Sequence, residues 1–243
     1  GALHIGYVDK DNAKLKYATN ATGSWIINTL GDAATHLFAQ TAISVHPVTN
    51  AIHIMAVNGS TISTAGLNHH TNETGTWLHS TISDPSEVEG FGVNFDIDSD
   101  GNLHVVFRRE ATPNYDHLIM ASRINGVWQN QTIATNLVSQ AQGHHFDMAI
   151  DSQDQIHVIF QGKFNAGKWI WHGVLSSVNP SSSWVLTQVS TTGFYPALAV
   201  DSNDNVHLSW HTASTVKDQW YQTYTSGTWS SIIETSATAG NIH

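Results

Sequence analysis

Residues 198–210 read LAVDSNDNVHLSW: an apolar run, a turn rich in Asp, Ser and Asn, and a second run that carries His207. Two other stretches follow the same pattern, MAIDSQDQIHVIF at 148–160 and FDIDSDGNLHVVF at 95–107. The second runs alternate apolar and other residues as half-buried strands do, and the residues between the runs favour a tight turn. The stretch therefore predicts an antiparallel hairpin that occurs repeatedly in the chain.

Two independent markers recur together along the chain, at intervals of about 50 residues. The hairpin histidines are His4, His53, His104, His157 and His207. The second marker is a tryptophan in a G-x-W or S-S-W sequence, at Trp25, Trp77, Trp128, Trp184 and Trp229. Each interval holds the two hairpin strands, a third strand, and a fourth that begins at the tryptophan. Four short antiparallel strands repeated at this period predict the blades of a β-propeller.

The predicted fold is all-β: a single domain over residues 1–243, forming a five-bladed β-propeller of four-stranded antiparallel blades. The predicted blades are residues 1–34, 35–86, 87–138, 139–191 and 192–234. The first repeat lacks an opening strand, because the sequence starts directly in ALHIGY. We expect the C-terminal tail, 235–243, to supply that strand and close the ring, which would remove two exposed sheet edges. A piece of a longer propeller is the alternative.

Charge and composition limit the classes of partner. The 243 residues carry a formal charge of -10 with nine Lys plus Arg, and such a surface repels nucleic acid phosphates. No apolar run is long enough for a membrane span. Cysteine is absent, which excludes disulfides, thiolate chemistry and cysteine-based zinc sites. A chain poor in lysine and rich in Ser, Thr and Asn favours a secreted or periplasmic protein. The oligomeric state has no signal in the sequence.

The repeated residues are expected to build the scaffold. Asp98, Asp151 and Asp201 end the first strands of their repeats, so a tight turn brings each one close to the histidine that follows. A neutral imidazole there can donate to the aspartate or to a turn carbonyl. A reaction needs one asymmetric constellation, whereas these residues recur from blade to blade. The repeated tryptophans are expected to fill the space between adjacent blades.

The turn DIDSDGN at 96–102 also matches the start of a calcium-binding loop. The corresponding turns at 150–155 and 200–205 lack the first aspartate and the glycine, and no glutamate follows Gly101 at the distance of a bidentate ligand. A hairpin turn accounts for all three sequences, and we favour it over calcium.

AIDSQDQIHVIF at 149–160 and the KLKYATNATGSW strands at 14–25 resemble bacterial propeller repeats near the sialidase-like, BNR-type families. The Asp-box S-x-D-x-G-x-T-W itself is absent, so the resemblance implies blade structure and not activity. Sialidases bind the substrate carboxylate with three arginines, and the arginines of this chain give no reason to carry that activity over. The stretch THLFAQTAISVHPVTNAIHI at 35–54 is also similar to strands of some polysaccharide lyases. Because these propellers act on sugars, the resemblance favours a carbohydrate ligand.

Departures from the repeat mark candidate functional positions. The residue four places after the repeat histidine is apolar in blades one and two but polar in the others: Val8, Val57, Arg108, Gln161 and His211. Arg109 extends this polar end in blade three. The entries into the first strands carry imidazole or aromatic groups, at His36, Phe91, His144, His145, Phe194, Tyr195 and His243. These residues predict one asymmetric site where the loops meet.

The favoured function is glycan or polysaccharide binding of a lectin-like kind. The predicted ligand-binding residues are Arg108, Arg109, Gln161, Tyr195 and His211. The first alternative is a polysaccharide lyase or hydrolase with His144, His145 or Arg108 in catalysis, for example a histidine base and an arginine on a uronate carboxylate. A hydrolase needs paired carboxylates, and the spacing of Glu89, Asp96, Glu110 and Asp147 pairs no two of them.

The second alternative is a metal-binding propeller. His36, His144, His145 and His243 are its candidate ligands, because neutral imidazole binds copper and zinc well. Two further expectations concern side chains away from this site. His70 and His172 are assigned to one equivalent third-strand position at the surface, and Trp210 is assigned to the core.

Overall fold

The structure is a computed structural model. It describes residues 1–33, 40–58, 66–82, 89–112, 115–138, 145–162, 169–177, 182–212 and 218–235. The chain divides into two compact units, Gly1–Asn136 and Leu137–His243. The regular structure in the described ranges is all β-strand, apart from turns. None of these ranges contains a helix long and apolar enough to cross a membrane.

Unit one contains three sheets, which fit the first three predicted blades. Blade one has β1 (His4–Asp9), β2 (Lys14–Thr19) and β3 (Ile26–Asp32). Blade two has β4 (Thr41–Val45), β5 (Ile52–Asn58), β6 (Gly66–Thr71) and β7 (Leu78–Thr81). Blade three has β8 (Glu89–Ile97), β9 (Leu103–Thr112), β10 (Tyr115–Ile124) and β11 (Val127–Val138), the last of which reaches the unit boundary. Within each of these sheets, consecutive strands lie side by side and pair antiparallel.

Unit two contains two sheets, which fit the fourth and fifth predicted blades. Blade four has β12 (Phe146–Ile150), β13 (Ile156–Gly162), β14 (Trp169–Leu175) and β15 (Val185–Ser190). Blade five has β16 (Phe194–Val200), β17 (Val206–His211), β18 (Gln219–Thr225), β19 (Thr228–Trp229) and β20 (Ile233–Glu234). Its predicted fourth strand is split, since β19 and β20 both pair with β18.

The predicted hairpins form with tight turns. The pairs Ile97–Leu103, Ile150–Ile156 and Val200–Val206 close them. Each turn needs one residue with positive φ, and Gly101, Asp154 and Asp204 adopt it at 84°, 59° and 61°. Glycine and aspartate tolerate this left-handed conformation better than bulkier residues do, which explains their place in the repeat.

Within each unit, the hydrophobic core lies between consecutive blades. Alternate residues of neighbouring sheets form three clusters of buried side chains. The first joins Leu15 and Tyr17 to Ile52 and Ile54, the second joins Met55 and Leu67 to Val105 and Phe107, and the third joins Ile159 and Ile170 to Leu208 and Trp210. Trp210 is 2% exposed, as expected for a core residue. Most of the predicted closing segment, residues 236–243, lies outside the described residues.

Candidate functional site

Each repeat histidine takes part in a short chain of hydrogen bonds, which we call a relay. In blade four, His157 Nε2 lies 3.3 Å from Asp151 Oδ2, and His157 Nδ1 lies 3.2 Å from His172 Nε2. Asp151 Oδ1 also accepts from the backbone N–H groups of Gln153 and Gln155, at 2.9 and 2.8 Å. The carboxylate therefore ties the histidine to the hairpin turn, while the histidine ties the hairpin to the third strand.

The relay recurs in the other blades with different partners on the third strand. His4 pairs with Tyr17, His53 with His69, His104 with Asp98 and Ser122, and His207 with Asp201 and Tyr221. Every third-strand partner has a hydroxyl or an imidazole, which can donate a proton to Nδ1 of the repeat histidine. Because a carboxylate only accepts, the neutral histidine donates through Nε2. The predicted donation to the turn aspartate is confirmed in blades three to five.

Blade three combines a serine, a histidine and an aspartate, the composition of a hydrolase triad. Ser122 Oγ lies 2.9 Å from His104 Nδ1, and His104 Nε2 lies 3.0 Å from Asp98 Oδ2. Ser122 is 1% exposed and His104 is 0% exposed. A nucleophile must reach its substrate, and the equivalent relays carry tyrosine or histidine in place of the serine. The arrangement is therefore part of the scaffold.

The repeated tryptophans pack on the relay of the preceding blade within each unit. The contacts are Trp77 on Tyr17, Trp128 on His69 and Trp229 on His172, with ring centroids 5.0, 5.6 and 5.2 Å apart. The prediction that these tryptophans fill the space between adjacent blades is confirmed for these three. Trp25 is 52% exposed in unit one.

The prediction that His70 and His172 are equivalent surface residues is wrong on both points. They are 7% and 1% exposed. The strand register places His69 diagonally across from His53, in the way that His172 lies across from His157. Blade two has two adjacent histidines, His69 and His70, and His69 is the one equivalent to His172. The prediction chose His70, one residue too far along the strand, and a shift of one residue moves a side chain to the opposite face.

Burial favours the uncharged form of four relay imidazoles, His53, His69, His157 and His172, and of the neighbouring His70. It lowers the pKa of His53 and His70 to about 4, and the pKa of His69 and His172 to about 3. The pKa of His157 is lowered as well, because burial outweighs the attraction of its aspartate. Removing water from an imidazolium is costly, so the neutral form dominates.

Blade two lacks the turn aspartate and replaces it with two residues. His46 Nδ1 caps the turn by accepting from two backbone N–H groups, at 3.2 and 3.3 Å. Glu73 supplies the carboxylate, with Oε1 3.6 Å from His53 Nε2. Both Glu73 oxygens also lie 3.1 Å from Arg123 Nη1 of blade three. The second and third blades are therefore linked by a charged pair beside the relay.

The glycine of the calcium-like turn has a packing reason. A Cβ on Gly101 would overlap His46 Nε2, so only glycine allows the imidazole to pack there. Both Asp98 oxygens are engaged, one by the backbone N–H of Asn102 and the other by the Asn102 amide and His104. These contacts favour the hairpin turn over the calcium loop.

Four rings lie together at one end of unit two, where β12 and β16 begin and β17 ends. We call His145, Phe194, Tyr195 and His211 the aromatic cluster. The ring centroid of Tyr195 lies 3.8 Å from that of His145 and 4.9 Å from that of His211, and His211 stacks on Phe194 at 5.9 Å. Tyr195 is 49% exposed. The structure thus brings together four of the residues that the sequence placed at the site, from two blades.

The backbone that presents Tyr195 is strained. Its φ of 50° lies in the left-handed region, which is uncommon for a bulky residue. The register of β16 against β17 shifts between Phe194 and Ala197, and a shift of this kind redirects a side chain. A Cβ on Gly193 would lie 2.8 Å from Trp210 Cδ1, so the preceding backbone is packed tightly on the core. Strain of this kind is concentrated at functional sites.

Two hydrogen bonds fix the cluster relative to the neighbouring strands. The His145 carbonyl accepts from the backbone N–H of Gln161, at 3.1 Å. Asp147 Oδ2 accepts from the backbone N–H of Leu198 at 2.9 Å, which ties β12 to β16. The predicted ligand residue Gln161 is 7% exposed. Gln161 and Asp147 therefore help to position the cluster.

Arg108 and Arg109 lie in unit one. Arg108 Nη1 lies 3.2 Å from Asp116 Oδ2, and both side chains are 2% exposed. Burial lowers the pKa of the Arg108 guanidinium, opposed by the attraction of Asp116. Arg109 pairs across the sheet with His117 and is partly exposed. A ligand-binding role for the two arginines stays a prediction.

Three of the predicted metal-binding or catalytic histidines, His36, His144 and His243, lie outside the described residues. In the ranges that the structure describes, no group of three or more His, Asp or Glu side chains could hold a metal ion. Copper or zinc binding therefore stays a prediction.

No family model matches this sequence, and no curated protein sequence matches it. Several solved structures share its fold. Polysaccharide lyase Uly1 aligns over 96% of this chain and 70% of its own, with a TM-score of 0.63 and 10% identity. The six-bladed β-propeller lectin of Aleuria aurantia aligns over 98% and 75%, with a TM-score of 0.58 and 14% identity. NanB sialidase of Streptococcus pneumoniae aligns over 83% and 33%, with a TM-score of 0.52 and 14% identity.

These likenesses show a β-propeller fold that is similar to sialidase-like propellers. The sequence identities are too low to show a shared activity. The solved structures have been described as a lyase, a lectin and a sialidase, so one architecture carries three different activities.

Proposed function

We propose that this protein is a glycan-binding propeller whose site is the aromatic cluster of unit two. The observation that carries the proposal is the exposed Tyr195 ring, held by a strained backbone between two imidazoles. Aromatic faces bury the apolar C–H faces of sugars, while the phenol and imidazole groups offer hydrogen bonds to hydroxyls. Among the residues that the structure describes, the cluster occurs in one place, which suits a single asymmetric site.

The solved structures with the same fold support the proposal. One is described as a polysaccharide lyase and another as a lectin that recognises fucose. We extend the proposal to the architecture. Five sheets correspond to a five-bladed ring, with the tail at 235–243 as the missing strand of blade one. Secretion or a periplasmic location would bring such a protein to its glycan.

Binding to a glycan array tests the proposed site. The purified protein is compared with Tyr195→Ala and with Val185→Ala, which alters an exposed residue of β15 away from the cluster. We expect Tyr195→Ala to lose at least about tenfold in affinity, or about 1.4 kcal/mol, while Val185→Ala binds normally. Equal binding by all three proteins would overturn the proposal.

A polysaccharide lyase is the second candidate. It is favoured by the same contact of Tyr195 with His145 and His211, because phenol and imidazole groups are suited to moving a proton during β-elimination. Incubation with uronic acid polymers would test it, through the ultraviolet absorbance of the unsaturated product. Metal binding is tested separately by elemental analysis of the purified protein.

A further inference from the structure

A hydrogen bond to the backbone determines which ring nitrogen of His211 carries the hydrogen. His211 Nδ1 lies 2.9 Å from the backbone carbonyl oxygen of Thr212. A carbonyl oxygen only accepts, so Nδ1 carries the hydrogen. In the uncharged ring the lone pair then resides on Nε2, and the histidine offers a ligand an acceptor and no second donor.

This tautomer selects the chemistry of a ligand at His211. A sugar hydroxyl can donate to Nε2, whereas a carboxylate or sulfate oxygen has no hydrogen to donate and would face a lone pair. A neighbouring hydroxyl of the same sugar can bind the phenol of Tyr195, which both donates and accepts. Neutral, hydroxyl-rich sugars therefore match the groups that the cluster presents.

The charge of unit two favours the same choice. Acidic residues outnumber basic ones in the sequence from 137 to 243. Asp147 lies two residues after His145 and is held by the backbone of Leu198. A ligand that carries its own negative charge would approach against this field, whereas a neutral sugar would not.

From the tautomer and the charge we infer that the aromatic cluster selects a neutral hexose or deoxyhexose over the corresponding uronic acid or sulfated sugar. The inference rests on the proposed function, since it names the class of glycan that the same site takes. The selection requires the uncharged form of His211, because only that form has a lone pair on Nε2.

Matched oligosaccharides test this selection directly. Galactose oligomers are compared with galacturonic acid oligomers, and glucose oligomers with glucuronic acid oligomers, so that each pair differs only at C6. Affinities are measured by calorimetry at about pH 8, above the ordinary imidazole pKa of about 6.5. The proteins are the unmodified chain, Tyr195→Ala, His211→Lys and the exposed control Val185→Ala.

We expect at least one neutral oligomer to bind at least about tenfold more tightly than its uronic acid counterpart. His211→Lys replaces the acceptor with a cation, so it should narrow or reverse this preference. Tyr195→Ala should weaken binding of both members of the pair, and Val185→Ala should change neither.

Two results would overturn the inference in distinguishable ways. If the uronic acid member binds as tightly or more tightly and Tyr195→Ala abolishes that binding, the glycan site stands and the selection for neutral sugars is wrong. If no oligomer binds in a manner that depends on Tyr195, the proposed site fails, and the selection fails with it.

Discussion

The relays and the aromatic cluster use the same kinds of residue in opposite ways. His157 in a relay is 3% exposed and contacts both Asp151 and His172. His211 in the cluster is partly exposed, and one of its nitrogens is fixed by a carbonyl while the other is left to accept. Both histidines stack on another ring. Residue type is therefore a poor guide to function here, and burial together with repetition is a better one.

The difference has an energetic basis. A buried polar group is costly unless every hydrogen bond is made, so a relay tolerates few substitutions and its removal affects folding. A partly exposed group can exchange its partners for water, so the cluster can change with little effect on stability. The following four predictions test this contrast, from the largest expected effect on stability to the smallest.

His157→Ala should cause the largest loss. It removes a buried ring and leaves Asp151 and His172 without their partner, which we expect to lower the free energy of unfolding by about 3–5 kcal/mol. Denaturant unfolding measures the change, with His211→Ala as the matched control at about 1 kcal/mol or less. Similar losses in both variants would remove the distinction between relay and cluster.

Stability should fall as the pH falls from about 6.5 towards 3. The pKa of His69 and His172 is lowered to about 3 by burial, so the unfolded chain binds protons below its ordinary pKa while the folded chain does not. The full free energy of unfolding is therefore present above about pH 6.5, and the part that depends on these uncharged histidines is lost as the pH falls towards 3. Thermal melts across this range measure the slope.

His172→Tyr provides the control for this pH dependence. Tyrosine occupies the same relay position in blades one and five, where Tyr17 and Tyr221 lie within hydrogen-bonding distance of the histidine. The substitution keeps a donor but removes the titrating group, so the melting temperature should depend less steeply on pH. An unchanged slope would show that the buried His172 does not contribute.

Gly101→Ala should cost more than Gly126→Ala. Both glycines have positive φ, at 84° and 81°. Alanine at either position should therefore lower the free energy of unfolding by about 1 kcal/mol through backbone strain. Only the Cβ at position 101 would also meet His46, which we expect to add about 1–3 kcal/mol. Equal losses, measured by denaturant unfolding, would mean that the imidazole moves aside freely.

Tyr195→Ala should have the smallest effect on stability. Alanine at this left-handed position stays nearly as strained as tyrosine, and the ring contacts that are lost are partly exposed. We therefore expect the free energy of unfolding to change by no more than about 1 kcal/mol. Glycan binding by the same variant should fall sharply, as described above. A large loss of stability would assign Tyr195 to the scaffold.

The sequence by itself determined the repeated hairpin. The alternation in LAVDSNDNVHLSW, the turn residues and the spacing of two markers are local properties, and local properties are readable without a structure. It also nominated His145, Tyr195 and His211, because these positions depart from the repeat. Their departure indicated a site, although it gave no distance between them.

Only the tertiary structure showed the third-strand members of the relays. Tyr17, His69, Ser122, His172 and Tyr221 share a place in space but not one residue type. The usable signal was a hydroxyl or imidazole in every third strand, but a one-residue offset in register, as at His70, was enough to obscure it. Register is set by pairing with the neighbouring strand, so a segment read alone leaves it open.

The tertiary structure also decided which polar groups are available to a ligand. Arg108 and His211 occupy the same place in the repeat, yet Arg108 is 2% exposed beside Asp116 while His211 stacks on the exposed Tyr195. The protonated nitrogen of His211 is set by the carbonyl of the next residue in the folded chain. Burial and hydrogen-bond partners arise from the packing of whole strands, and the order of residues along the chain does not specify them.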